Sequence, residues 1–242
     1  MGKHKWMPAS VLMILFAMQA TGSNAEPRIG TAASTRPNAE AISGGNTRTL
    51  SAGSEIYANQ TVRTGNHGKA DLVFIDKTNL SVGSASEVRL GKFVYDQRGA
   101  AGSVVMQATR GTFRFVTGSQ AHEAYQVSTP HGTLAVHGTT VEILVGQRDP
   151  NKPGELCATK LRLVEGQAEY KVAGSEKVAR LTDPNKNNCA CITKGGDVSY
   201  STCTQSILPF AVASEPPPPP PAPPGGNTPT PTPPPPTSPT HL

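Results

Sequence analysis

The sequence predicts an all-β protein: a β-solenoid-like or sandwich stack of short strands, followed by a disulfide-linked β extension and a disordered Pro-rich tail. Its apolar segments between residues 55 and 202 are short, rich in Val, Ile, Thr, Phe and Tyr, and separated by Gly, Asn or Ser. Several segments alternate apolar and polar residues, whereas the spacing of an amphipathic helix is not sustained in any window after the N-terminal leader. These features indicate strands as the organising element.

The first 25 residues have the organisation of a secretory signal peptide. Lys3 and Lys5 precede an apolar run over residues 7–20, and Ser23-Asn24-Ala25 follows as a cleavage site of small residues. The run has 14 residues, fewer than the roughly 20 that a spanning helix needs. We therefore expect cleavage after Ala25 and no membrane span in the mature protein, with an uncleaved anchor as the alternative.

The last 28 residues, 215–242, form a Pro-rich tail. From Pro216 onward they hold 15 of the 23 prolines and no Lys, Arg, Asp or Glu. Such a composition cannot bury a core, and it favours extended polyproline II or disorder. The tail has two interpretations beyond an inert linker, namely a spacer through the cell wall or a ligand for aromatic grooves.

The part between leader and tail divides into a lead segment (26–43), a β domain (44–146) and a β-rich extension that carries the cysteines (147–214). We expect strands at 55–57, 61–63, 70–75, 79–82, 87–90, 92–95, 102–108, 111–116, 123–128, 132–137, 140–145, 156–163, 167–172, 177–181, 189–193 and 197–202. The expected core consists of apolar strand residues: Leu72, Phe74, Leu80, Val82, Val88, Leu90, Val105, Phe113, Phe115, Val127, Leu134, Val136, Val141 and Ile143.

Three Gly-Thr pairs precede β-rich segments. Gly111, Gly132 and Gly138 each stand before a threonine. Glycine tolerates a left-handed backbone that other residues disfavour. We therefore expect a left-handed corner at each of the three positions.

Four cysteines lie in the extension: Cys157, Cys189, Cys191 and Cys203. An even number behind a signal peptide indicates two disulfides. Because a bond across one residue is strained, Cys157 should pair with Cys189 or Cys191, and Cys203 with the other. A zinc site is disfavoured by the spacing, and no metal or other cofactor is expected.

The charge does not indicate nucleic acid as a partner. The chain has a net charge of +5, and removing Lys3 and Lys5 leaves 20 Lys and Arg against 17 Asp and Glu, or +3. The basic residues are scattered rather than clustered on one segment. We expect no nucleic-acid partner for an exported chain of this kind.

Motif evidence for catalysis is weak, so the protein is predicted not to be an enzyme. His67, His122, His131 and His137 stand in no metal-ligand pattern, and Asp76 is expected to be a turn residue. Nucleophile elbows and phosphate-binding loops are absent from the sequence. The possible contact patch consists of Arg110 and Arg114, which share a strand face at this spacing, together with His131 and His137.

The β domain resembles the periplasmic part of the FecR family. The similarity covers about residues 51–145 and has its segments in order. They are Val62-Arg63-Thr64-Gly65, residues 68–76 (GKADLVFID), residues 79–83 (NLSVG), residues 108–115 (ATRGTFRF), residues 127–133 (VSTPHGT) and residues 135–142 (AVHGTTVE).

Two positions depart from the family pattern. Lys77 replaces the usual Gly after the Asp, and His137 replaces the Arg of V-R-G-T. Asn79 is the expected carrier of the positive φ angle in the turn. His137 can take over part of the hydrogen bonding of the Arg, although it is largely neutral at pH 7.

The resemblance implies a module of the periplasm or cell surface of a Gram-negative bacterium. FecR-type regulators also carry a cytoplasmic anti-sigma segment, and only six residues precede the apolar run here, so we expect no such segment. The predicted function is an exported, non-enzymatic binding or scaffold module for a protein or glycan of the cell envelope. The alternative is an accessory in iron/siderophore-type surface signalling that contacts an outer-membrane receptor.

Overall fold

The computed structural model describes residues 26–95, 102–121 and 125–208. The predicted signal peptide, the Pro-rich tail and His122 lie outside these ranges. All regular structure in the described part is β, as the sequence predicts, and this part holds no helix that is long and apolar enough to cross a membrane. The all-β fold class is confirmed.

Fifteen strands follow one another along the chain. They are β1 (Arg28–Arg36), β2 (Ala39–Ser43), β3 (Asn46–Thr49), β4 (Glu55–Tyr57), β5 (Thr61–Thr64), β6 (Lys69–Phe74), β7 (Asn79–Val82), β8 (Glu87–Val94), β9 (Ser103–Val116), β10 (Tyr125–Thr129), β11 (Gly132–Val145), β12 (Thr159–Val172), β13 (Val178–Leu181), β14 (Cys189–Ile192) and β15 (Val198–Ser201).

All fifteen strands belong to one sheet that folds around a common core. Within the described ranges, the pairing of β9 with β10 is parallel and every other pairing is antiparallel. The sequence left a solenoid-like and a sandwich architecture open. A solenoid stacks its coils in parallel, so this antiparallel pattern does not fit the solenoid.

Three long strands, β9, β11 and β12, pair with different partners in their two halves. The first half of β9 pairs with β8 and β10, and its second half pairs with β7 and β11. The first half of β12 pairs with β14, and its second half pairs with β13. Each long strand therefore runs from one group of paired strands into another, and so connects the two groups within the folded sheet.

Glycines lie where the long strands bend. Gly111 in β9, Gly138 in β11 and Gly166 in β12 have φ angles of 111°, 58° and 79°. This confirms the left-handed corners expected at Gly111 and Gly138. The left-handed corner expected at Gly132 is wrong, because its φ angle is not positive. A Cβ at this position would lie 2.3 Å from the carbonyl oxygen of Lys171. Close backbone approach is the reason for glycine at that position.

The core contains thirteen of the fourteen apolar residues expected there, each buried. Strand β6 shows the alternation most clearly, with Ala70, Leu72 and Phe74 buried and their neighbours half-buried. Val105 is the exception. It is half-buried because Val104 and Met106 hold the inward positions of β9. The period-two pattern thus predicts the inward face correctly at nearly every strand.

Residues before and after the β domain join the same sheet. β1 pairs with β6, and β2 pairs with β5, although the sequence predicted no strand before residue 55. At the other end, β12 pairs with β11 along its whole length. The lead segment and the extension therefore share one core with the β domain.

The outer face of β11, β12 and β14 is covered by later parts of the chain. Leu144 and Cys189 form a second apolar cluster there with Ile207 and Leu208. Because this cover lies over strands that also face the main core, all four residues of β14 are buried. The extension thereby gains a small core of its own.

A buried lysine holds the loop between β11 and β12. The Lys160 ammonium lies 2.7 Å from the Asp149 carboxylate and also contacts Glu155. Lys160 and Asp149 are 1% and 2% exposed. The lysine thus ties the beginning and the end of the loop to β12, and both charges of the buried pair are compensated.

Candidate functional site

A polar groove of about 320 Å³ opens at the rim of the extension. We call it the β13–β15 groove, and its lining comes from β13, the loop between β13 and β14, and β15. The lining residues are Arg180, Thr182, Asp183, Lys186, Asn187 and Tyr200. All six are exposed. The volume lies near the lower end of the range of about 300–1,000 Å³ that is typical of small-molecule sites.

Asn188 lies next to the groove, directly after the lining residue Asn187. Its side chain is buried, and its Nδ2 donates to the carbonyl oxygens of Pro184 at 2.7 Å and Cys203 at 3.1 Å. Its Oδ1 accepts from the N–H of Cys203 at 2.8 Å. One side chain therefore joins the loop before β14 to the segment after β15, and so holds both walls in place.

Two disulfides, Cys157–Cys191 and Cys189–Cys203, reinforce the same region. They confirm the expected disulfides and their exclusion of a Cys189–Cys191 bond. Glu155, Cys157 and Cys191 bring three potential metal-ligand atoms within 4.8 Å of one another. Since both sulfurs are bonded to each other, this group does not offer thiolates to a metal.

Tyr200 supplies the aromatic surface of the groove. Its side chain is 46% exposed, and its hydroxyl accepts a hydrogen bond of 3.2 Å from the N–H of Arg180. This bond satisfies an outward N–H of the edge strand β13 and fixes the ring next to it. The Arg180 guanidinium donates to Glu169 at 2.8 Å, so its position is also set.

The loop of the groove presents a cation, a carboxylate and an amide. Asp183 Oδ1 accepts from the N–H of Asn185 at 2.8 Å, and the N–H of Asn187 donates to Thr202 Oγ1 at 3.1 Å. Lys186 takes part in no salt bridge to a residue of the described ranges. These two hydrogen bonds order the loop, and they leave the side chains of Lys186 and Asn187 available to a ligand.

Arg110 and Arg114 lie on either side of the bend at Gly111. Arg110 contacts Glu87 of β8 at 3.4 Å, whereas Arg114 contacts Glu142 of β11 at 3.9 Å. The two guanidinium groups therefore engage separate carboxylates, and the structure does not bring them to one shared partner. The contact patch expected from their spacing stays a prediction.

His131 lies in a polar cluster at the turn between β10 and β11. Its Nδ1 is 3.0 Å from Thr159 Oγ1, and Thr129 Oγ1 is 2.7 Å from the Tyr170 hydroxyl. Burial lowers the pKa of His131 below its ordinary 6.5, and the charge of Lys194 lowers it further. The side chain of His137, which the sequence placed in the same contact patch, lies outside the described part of the structure.

Asp76 has the structural role that the sequence predicts. The buried carboxylate accepts from the N–H and hydroxyl of Thr78, at 3.0 and 2.6 Å, and from the Tyr125 hydroxyl at 3.0 Å. The expectation for Asn79 is wrong, because Lys77 itself adopts the positive φ, at 68°. Asn79 stabilises that turn by donating from Nδ2 to the Lys77 carbonyl at 3.2 Å.

The sequence did not predict the groove, since its residues come from three separate segments. The available signal was Tyr200, an aromatic residue in the polar strand Asp197-Val198-Ser199-Tyr200-Ser201. A large aromatic side chain in such a strand indicates either an inward position or an exposed contact. The structure places it in the exposed position.

Residues 60–153 match the family model described as FecR protein. The match begins just before β5 and ends in the loop after β11. It therefore contains all six sequence segments on which the resemblance rested, and it leaves the β13–β15 groove outside. No curated protein matches this chain in sequence.

Two crystal structures from Parabacteroides distasonis, both of a candidate anti-sigma factor, are similar in fold. Each is 16% identical to this chain, with a TM-score of 0.44. The alignment covers 59% of this chain and 59% of each neighbour. The chain thus spans less than two thirds of the length of these neighbours.

Proposed function

Because residues 60–153 match the FecR family model, we propose that the protein is an exported, non-enzymatic binding or scaffold module of the periplasm or cell surface of a Gram-negative bacterium. In this role the FecR domain is the rigid frame, and the extension presents the contact surface to a protein or glycan of the envelope. The observation that carries the proposal is the β13–β15 groove, whose walls are fixed before any ligand arrives.

Preorganisation supports a binding role. Asn188 joins the two walls, the Tyr200 hydroxyl bonds to β13, and the Cys189–Cys203 disulfide links the strand before the groove to the segment after it. A surface that is already ordered loses little conformational entropy when a partner binds. The polar side chains on the loop supply donors and acceptors for recognition.

The environment of the buried charges supports a non-enzymatic role. Asp76 accepts three hydrogen bonds, and Glu142 accepts from Ser206 and from Ile207 while facing two arginines. Lys160 is held between two carboxylates. Each of these groups connects separate chain segments, which is a structural task.

Export is supported by two features of the chain. The leader over residues 1–25 has the pattern of a signal peptide. Both disulfides lie in the part that follows it, and disulfides persist in oxidising compartments such as the periplasm. Mass spectrometry of the protein from a periplasmic extract should give a mature chain that begins at Glu26. Recovery from the cytoplasm with an intact N-terminus would contradict export.

The second candidate is an accessory in cell-surface signalling of the iron/siderophore type. The FecR match favours it, since FecR-type regulators act in such signalling. In this alternative the partner is an outer-membrane receptor rather than wall material. The two candidates therefore differ in what the same exported module contacts.

Retention from envelope extracts tests the proposal. Full-length mature protein is immobilised and incubated with solubilised outer membrane and with purified cell wall, and bound material is identified by mass spectrometry and sugar analysis. Recovery of wall polymer or a non-receptor envelope protein supports the binding module. Recovery of an outer-membrane receptor supports the signalling alternative. Retention no greater than that of the heat-unfolded protein would overturn both.

A further inference from the structure

We propose that the β13–β15 groove binds an acidic saccharide. The inference rests on the proposed function, because it names the partner class of the same binding module. The observation behind it is that the exposed ring of Tyr200 lies beside an ordered loop. That loop presents a cation, a carboxylate, an amide and a hydroxyl.

The exposed ring of Tyr200 matches the apolar face of a pyranose. A tyrosine offers a rigid, amphipathic contact area at low cost in conformational entropy. Its hydroxyl is already bonded to the N–H of Arg180, so the ring cannot swing away without losing that bond. The ring is therefore held open as a platform at the side of the groove.

The loop supplies the groups that bind sugar hydroxyls. Thr182, Asp183 and Asn187 line the groove and together present a hydroxyl, carboxylate oxygens and an amide. An amide both donates and accepts, and a carboxylate accepts from several donors. Hydroxyl groups of a sugar need such a mixture of donors and acceptors at short range.

Lys186 gives the groove a cation that can contact the carboxylate of an acidic sugar, while Asp183 in the same lining accepts from the sugar hydroxyls. Arg180 is neutralised by Glu169 at 2.8 Å, whereas Lys186 takes part in no salt bridge to a described residue. The ammonium of Lys186 is thus available to a carboxylate of the ligand. Because the groove is exposed, this attraction is screened by salt and should weaken as ionic strength rises.

The polarity of the groove disfavours other ligand classes. Sites for drug-like and cofactor molecules are lined predominantly by apolar side chains and enclose most of the ligand. Here every lining residue apart from Tyr200 is polar or charged, and all are exposed. A hydrophilic ligand that keeps one face in water fits these properties.

Calorimetric titration of the full mature chain tests the inference. The probes are trigalacturonate and the disaccharide of N-acetylglucosamine and N-acetylmuramic acid, with neutral maltotriose for comparison. We expect at least one acidic probe to bind more tightly than maltotriose, and its affinity to fall when salt is raised. Absence of binding by both acidic probes, or equal binding of maltotriose, would overturn the proposal.

Variants assign the binding to the groove. Tyr200→Ala should lower the affinity about tenfold, and Lys186→Gln should lower it roughly threefold for the acidic probe alone. The matched controls are Tyr95→Ala, at a tyrosine that is 40% exposed elsewhere, and Lys152→Gln, on an exposed loop. Equal effects of a variant and its control would place the binding elsewhere and contradict the inference.

Tyr200→Phe separates recognition from folding. It keeps the ring and removes only the hydrogen bond to Arg180, so the affinity should stay within about threefold of the wild type. A loss as large as that of Tyr200→Ala would assign Tyr200 a structural role instead. If envelope retention depends on Tyr200 while no acidic saccharide binds, the proposed function stands and the saccharide is excluded.

Discussion

The carboxylate of Glu142 accepts a hydrogen bond of 3.0 Å from the backbone N–H of Ile207, 65 residues further along the chain. It also accepts from the Ser206 hydroxyl at 2.9 Å and lies 3.2 Å from the Arg162 guanidinium. The Glu142 side chain is 1% exposed. One buried carboxylate thus fastens the segment after the second disulfide to the outer face of β11.

Replacing Glu142 should remove the hydrogen bonds that hold Ser206 and Ile207 against β11. We expect Glu142→Ala to lower the free energy of unfolding by about 3 kcal/mol, because it removes one partner of a buried ion pair. Urea denaturation measures the change. Glu169→Ala is the matched control, since its pair with Arg180 is exposed and contributes at most about 1 kcal/mol. Similar losses in the two variants would contradict the fastening role.

The bend of β9 should not tolerate a side chain at Gly111. A Cβ there would lie 2.4 Å from the Cα of Ser86, and the φ angle is 111°. We expect Gly111→Ala to destabilise the fold by about 2 kcal/mol. A Cβ at Gly154 would meet open space, so Gly154→Ala should change the unfolding free energy by less than about 0.5 kcal/mol. Thermal denaturation measures both variants, and equal shifts of their melting temperatures would contradict this prediction.

Asp71 should make stability depend on pH in the acid range. Burial raises the pKa of its carboxyl, but hydrogen bonds from Lys69, Ser34 and Ser81 outweigh burial and hold the pKa below its ordinary 3.8. A carboxyl with a lowered folded-state pKa contributes stability that is complete above its unfolded-state pKa and is lost as pH falls through the folded one.

Comparison with Asp71→Asn tests this pH dependence. The wild type should be more stable than the variant at about pH 6, and the difference should shrink as pH falls below the ordinary carboxyl pKa of 3.8. Asp197→Asn is the control at a carboxylate whose side chain is 77% exposed, and its difference should stay small throughout. A difference for Asp71→Asn that does not change with pH would be the contrary result.

Each disulfide should be separately detectable and separately stabilising. Non-reducing peptide mapping should recover the Cys157–Cys191 and Cys189–Cys203 links, whose separations are 34 and 14 residues. In the chain-entropy description, removing the longer link costs about 4 kcal/mol and the shorter about 3 kcal/mol. Paired Cys→Ala variants and urea denaturation measure both. Four free thiols in protein from the periplasm would contradict the account.

The fold was predictable where local pattern and burial agree. Leu72 and Phe74 alternate with polar residues in sequence, and the structure buries both. Strand β1 was not predictable in this way, because its sequence is rich in Gly, Ala, Ser and Thr, which have little apolar surface. It is a strand because it pairs with β4 and β6, and such long-range pairing leaves no local pattern.

The candidate site was less predictable than the fold. The four cysteines predicted a disulfide-linked extension, but neither Asn188 nor Tyr200 belongs to a recognisable sequence motif. Asn188 acquires its role because the backbone of Cys203 lies within hydrogen-bond distance, 15 residues away in sequence. Tyr200 becomes a groove wall because β13 ends beside β15. Both roles follow from the arrangement of strands and not from spacing.

Photo-crosslinking in the producing bacterium tests the central claim most directly. A benzophenone amino acid replaces Tyr200 in one version of the full chain and Tyr95 in the other, and irradiated envelope fractions are separated by size. An exported binding module that uses the β13–β15 groove predicts a crosslinked envelope partner from position 200 and none from position 95. No adduct at position 200, or the same adduct at both positions, would contradict the account.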